Sequence, residues 1–174
     1  MRRRVLVVSL VGLVIVAGLS VLLGTRKPFE ATSAPSPLLG RVAPAVSASE
    51  LGGGHFNLAA QRGRVVVLNF WASWCGPCQL EAPELSTFAW AERASKVELV
   101  GVVYDDTLAS ARSFAAHYGS LYPSLVDPNG EIANAYGVSS PPTTIIIDAR
   151  GRVAATLLGP VSARQLEAAV RRVS

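Results

Sequence analysis

The chain has 174 residues, half of them apolar and 16% charged, which excludes a disordered polymer and suits one ordinary domain plus an appendage. Its net charge of +4 is lopsided: Arg2, Arg3, Arg4, Arg26 and Lys27 lie in the first 27 residues, which hold no acid. The other eleven bases face all twelve acids, so the remainder is near neutral and nucleic acid is not an expected partner.

Residues 5–24, VLVVSLVGLVIVAGLSVLLG, follow three arginines and carry no charge. As a helix they span about 30 Å, one hydrocarbon core. A cleaved signal usually has a shorter apolar region, ~7–15 residues, and a small-x-small site, of which Thr32-Ser33-Ala34 is a weak example. Residues 1–27 are therefore expected to be an uncleaved membrane anchor, with the arginines cytoplasmic and the rest exported. Residues 28–40, with Pro28, Pro35 and Pro37 among small polar residues, are expected to be a flexible tether, and 41–174 one domain.

Within that domain RVVVLNFW (64–71) reads as a buried strand. A helix is expected from near Gly76, with Leu85, Phe88, Ala89 and Glu92 on one side. KVELVGVVY (96–104) reads as a second buried strand. Leu108, Ala111, Ala115 and Tyr118 then recur at helical spacing behind the capping run Asp105-Asp106-Thr107. A short extended piece (122–127) and a short helix stopped by Gly137 follow. TTIIID (143–148) and RVAATLL (152–158) form a hairpin, and Ser162-x-x-Gln165 is a capping box opening the last helix. This order predicts an α/β sandwich around a central mixed sheet.

The chain's two cysteines, Cys75 and Cys78, follow the first buried strand. A zinc site needs about four ligands, and neither His55 nor His117 has ligand spacing to them, so no metal is expected. A two-residue spacer closes too small a loop for a structural staple. A peroxide-reducing cysteine would not need a second thiol three residues on. C-x-x-C between a strand and a helix suits reversible dithiol–disulfide exchange. With Gly76-Pro77 in the first turn, the helix N-terminus favours a thiolate on Cys75, and Cys78 can resolve the mixed disulfide intramolecularly. Trp71 reads as core and Trp74 as an apolar rim.

VVLNFWASWCGPC with EAPEL resembles the thioredoxin superfamily, in its membrane-anchored extracytoplasmic branch of the ResA, TlpA and CcmG/DsbE type. The resemblance covers about residues 38–174 and includes the extension LLGRVAPAVSASELGGGHFNLAAQRGRVVVLNF, GVVYDD (101–106) and YGVSSPPTTIIIDARGRV (136–153). It implies a thioredoxin-like fold with an N-terminal extension of short strands. It implies that Pro142 is a cis-proline facing the dithiol, and that Trp74, Gly76, Pro77, Pro141, Pro142 and Thr143 form the docking surface for a substrate. Pro141 departs from the pattern and has no N–H to pair with an added substrate strand. Asn69 stands where cytoplasmic thioredoxins carry a buried Asp. Glu81 matches the acid this branch places near its thiols, where a partly buried carboxyl could exchange a proton with Cys78, whereas Glu84 reads as a solvated carboxylate. Pro83 matches the proline that kinks this helix in the family.

The expected activity is reduction of protein disulfides outside the cytoplasm, apocytochrome c being the expected substrate and a membrane electron donor the source of reducing equivalents. No cofactor beyond the cysteine pair is expected, and the chain is expected to be a monomer. Two other readings stay open at this point: an oxidant that donates its disulfide to exported proteins, and a copper-delivery or redox-silent binding module on the same fold.

Overall fold

The computed structural model describes residues 12–18 and 31–173. Of the expected anchor only 12–18 are described, helical and exposed; its remainder lies outside the described residues. Among the described residues no helix is long and apolar enough to cross a membrane.

Eight strands are described: β1 (Thr32–Ser33), β2 (Ser47–Ser49), β3 (His55–Asn57), β4 (Val65–Trp71), β5 (Val97–Val103), β6 (Ser124–Val126), β7 (Thr143–Ile147) and β8 (Val153–Leu158). Four α-helices accompany them: α1 (Gly76–Glu92), α2 (Leu108–Tyr118), α3 (Glu131–Ala135) and α4 (Ala163–Arg171). Six strands form one sheet in the order β1-β8-β7-β4-β5-β6, while β2 and β3 pair separately in the N-terminal extension. β4, β5 and β6 run parallel, and β7, β8 and β1 are added antiparallel, giving the expected mixed sheet.

β4 is buried on both faces, which is why it reads as a nearly unbroken apolar run. Val66, Leu68 and Phe70 pack with Val46, Phe56, Ile132 and Tyr136 under the extension and α3. Val65 and Val67 face the other way, against Leu85 and Phe88 of α1 and Leu166 and Val170 of α4. The strand's period of two therefore sends Asn69 to the α1 side. At the carboxyl ends of β4 and β5, Trp71, Ala72 and Val103 pack with Cys75, Cys78, Ala111 and Phe114.

Three expectations are corrected. The tether is not free over its whole length: Ala31 is buried, and Thr32–Ser33 pairs with Leu157 and Leu158 as the sheet's edge strand. A two-residue edge strand carries no periodicity, so a proline-rich stretch conceals it. On α2 the buried residues are Ala111 and Phe114, while Leu108 is 42% exposed. The capping box is only half formed: Ser162 accepts from Gln165 N, but the Gln165 amide donates instead to Ala31 O at 2.6 Å. The edge strand takes the side chain that would otherwise have capped the helix.

Candidate active site

α1 begins where β4 has delivered the chain to the carboxyl edge of the sheet. Cys75 is its N-cap, with extended backbone at φ −83° and ψ 103°, and Gly76 and Pro77 occupy the first helical positions. Proline is suited to that place because the N–H it lacks has no intrahelical partner there. Cys75 and Cys78 form a disulfide with Cα atoms 5.2 Å apart. The Cys78 N–H donates to Cys75 Sγ at 3.2 Å. That donor and the helix N-terminus favour negative charge on Cys75 once the disulfide opens. Both cysteines are buried, Cys75 keeping 4% of its surface and Cys78 1%.

Trp74 is 57% exposed, and its indole N–H donates to Asp105 O at 2.9 Å. Asp105 holds that carbonyl in place with a left-handed backbone, φ 43°. Asp106 completes the latch by accepting from Ser73 N at 2.7 Å. Trp71, by contrast, is core: it stacks on Phe114 at 4.8 Å, and its indole donates to Ser124 Oγ at 3.2 Å. Gly101 makes this possible, since a Cβ there would stand 2.6 Å from the Trp71 indole nitrogen and closer still to Ser124 Oγ.

The other wall is the start of β7. The Pro141–Pro142 bond is cis. The β4–β7 register pairs Thr143 with Phe70, which puts Pro142 level with the end of β4 and the turn that carries Cys75. The Thr143 hydroxyl donates to Ser140 O at 2.8 Å, and Gly159 N donates to Pro142 O at 3.0 Å, fixing the proline loop from both sides. Trp74, Gly76 and Pro77 are exposed and Pro141 is half-buried, whereas Pro142 and Thr143 are buried beneath them.

Glu81 lies three residues beyond Cys78, hence on the same helix face. It is fully buried: Asn69 Nδ2 donates to its Oε1 at 3.0 Å and Val161 N to its Oε2 at 3.1 Å. Asn69 also donates to Thr144 Oγ1 at 3.1 Å, tying the acid to β7. Burial pushes the Glu81 carboxyl up from its ordinary 4.5 to about 7, while the Asn69 and Val161 hydrogen bonds hold it back by favouring the charged form. The group can take or give a proton at neutral pH, one turn from Cys78. Pro83 sits inside α1, and the Thr87 hydroxyl donates to its carbonyl at 2.9 Å.

Two contributors were hidden in the sequence. Thr144 looks like any β-branched strand residue. Glu84 accepts from Ala163 N at 2.9 Å, at the start of α4, and so is not merely solvated. Both bonds bridge segments more than seventy residues apart, and no local spacing encodes them. The histidines lie apart from the thiols: His55 hydrogen-bonds Ser47 at 2.9 Å, and His117 meets the Tyr118 ring edge-on. Among the described residues no three His, Cys, Asp or Glu side chains cluster as a metal site.

A dithiol–disulfide pair at a helix N-terminus, beside a cis-proline on a mixed sheet, defines a thiol-disulfide oxidoreductase of thioredoxin-like fold. Residues 39–156 match the AhpC/TSA family, and the chain belongs to it. Within that family it is similar to the thiol-disulfide oxidoreductase ResA of Bacillus thuringiensis, 30% identical over 78% of this chain and 79% of the relative. It is 37% identical to the thiol:disulfide interchange protein HelX of Rhodobacter capsulatus, over 74% of this chain and 72% of that one. The crystal structure of a thioredoxin-family thiol:disulfide interchange protein from Chlorobium tepidum superposes with a TM-score of 0.71 at 25% identity, covering 80% of this chain and 99% of that one. The chemistry is therefore protein dithiol–disulfide exchange.

Proposed function

We propose that this oxidoreductase works outside the cytoplasm as a reductase of protein disulfides, preparing apocytochrome c thiols for haem attachment. The observation that carries the reading is Glu81, an acid poised near neutrality directly behind the resolving cysteine in a protein related to ResA and HelX. The Gly76-Pro77 dipeptide between the cysteines, as in strongly reducing thioredoxins, supports the reducing direction. Residues 5–24 support export and anchoring by their length and lack of charge.

In the reduced protein the Cys75 thiolate attacks one sulfur of the substrate disulfide. A mixed disulfide forms, and the other substrate sulfur leaves as a thiolate that takes a proton from water. Cys78 passes its proton to the Glu81 carboxylate and attacks Cys75 Sγ, which expels the second substrate thiolate. Two electrons have then moved to the substrate, and the Cys75–Cys78 disulfide remains. A membrane dithiol donor restores the reduced pair, with Glu81 returning a proton to Cys78. Trp74, Gly76, Pro77 and Pro141 present the docking edge, with the buried Pro142 and Thr143 behind it; Pro141 removes one donor there, so the substrate pairs with fewer main-chain bonds.

Cys78→Ser tests the substrate directly, because it stops the reaction at the mixed disulfide on Cys75. The expected adducts are c-type apocytochromes and the membrane donor. Adducts drawn broadly from exported disulfide-bonded proteins, with no apocytochrome among them, would contradict the assignment.

A further inference from the structure

Residues 159–163 run from the end of β8 to α4, and every second one donates its N–H toward the site. Gly159 N bonds Pro142 O at 3.0 Å, Val161 N bonds Glu81 Oε2 at 3.1 Å, and Ala163 N bonds Glu84 Oε2 at 2.9 Å. Pro160, buried between the first two, has no N–H and holds a fixed φ, and Ser162 is extended at φ −92° and ψ 157°. Ser162 is extended, so the N–H groups of Val161 and Ala163 on either side of it point the same way, while Gly159, at φ 91°, turns the chain out of β8 into the segment. Glu81 takes the first of these two donors and Glu84, one turn further along α1 on the same face, takes the second.

We propose that Glu84 is a positioning residue for Glu81: by anchoring Ala163 it holds the strap so that the Val161 N–H stays aimed at the Glu81 carboxylate. This rests on the reading of Glu81 as the proton partner of Cys78. Among the described residues Val161 N and Asn69 Nδ2 are the donors to a carboxylate that burial otherwise discourages, so the alignment of the Val161 bond sets how readily Glu81 gives up its proton. Glu84 also suits its place electrostatically, since an acid is favoured at the N-terminus of α4. On its own helix Glu81 faces Cys78 one turn before and Glu84 one turn after. β4 supplies only the neutral Asn69, and β7 carries no ionisable side chain. Tyr122, whose phenol is pushed up by burial and then by the Glu81 charge, is the remaining ionisable neighbour. The strap itself carries no charged side chain.

The test reads Glu81 itself in the oxidised protein, where neither thiol titrates, by carbon NMR of its carboxyl across the neutral range. The wild-type midpoint is expected near 7. Glu84→Gln and Glu84→Ala both remove the Glu84 charge, but only Gln keeps an oxygen that accepts from Ala163 N. The midpoint of Glu84→Ala is expected above that of Glu84→Gln by roughly 0.3–0.5 pH unit, because a donor to the charged form of Glu81 has been loosened. Glu84→Ser, too short to reach Ala163, is expected to follow Ala, and Glu84 is exposed enough for either to fold. Coincident midpoints for the Ala, Ser and Gln variants would overturn the proposal. The underlying reading of Glu81 fails separately, if Glu81→Gln leaves the pH dependence of Cys78 alkylation in the reduced protein unchanged.

Discussion

Asn69 and Glu81 are joined side chain to side chain at 3.0 Å in the fully buried layer between β4 and α1. A neutral amide thus supports an acid, where two carboxyls at that distance would repel and force one to stay protonated. The amide supplies an N–H to the charged form without adding a second titrating group. The arrangement leaves one carboxyl, pushed up by burial to about 7, one turn from Cys78.

That acid should leave a mark on stability. Its pKa is about 7 in the folded oxidised protein against 4.5 ordinarily, so between these values the folded state binds more protons than the unfolded one. The contribution of Glu81 to stability is then fully present below about 4.5 and is lost as pH rises through about 7, by about 3 kcal/mol for a gap of about 2.5 pH units. Chemical denaturation of the oxidised protein at acid and neutral pH should show this fall, and Glu81→Gln should flatten it. An equal slope in the variant would mean that other groups carry the pH dependence.

Gly101 predicts a packing defect remote from the sulfur chemistry. A methyl group there intrudes on the Trp71 indole nitrogen and on Ser124 Oγ, whose mutual hydrogen bond is buried. Gly101→Ala should cost about 1–3 kcal/mol in denaturant titration, as overpacking usually does. A neutral result would show that the Trp71 ring can move aside.

Replacing Trp74 tests docking apart from folding. It is exposed and makes a single indole hydrogen bond, to Asp105 O, so Trp74→Ala should change stability by less than about 1 kcal/mol. Its kcat/KM for a protein disulfide should nevertheless fall about tenfold, with much less change for a small disulfide such as oxidised glutathione. Equal losses for both would place Trp74 in tuning the thiols rather than in docking.

What could be read from the sequence, and what could not, follows from range. β4 and β5 announce themselves as apolar runs because both faces of each strand are covered. The Cys75 cap is legible because strand, turn proline and helix are contiguous. Glu81 and the cis bond before Pro142 came from resemblance, since three-residue spacing alone does not distinguish a buried acid from a solvated one. The β1 edge, the Phe114 side of α2 and the Ala163 anchor at Glu84 were missed. A two-residue strand has no period, small residues at 111 and 115 mask the face that Phe114 defines, and hydrogen bonds to distant backbone N–H groups leave no local pattern.

In the proposed function the Cys75–Cys78 pair reduces its substrates. Its reduction potential, measured by equilibrating the protein with dithiothreitol or glutathione couples and counting free thiols, tests this most directly. A reductase should have a potential near that of thioredoxin, about −270 mV or lower, rising less steeply with falling pH in Glu81→Gln near neutrality. A value near about −120 mV, that of a strong disulfide donor, would contradict the proposal.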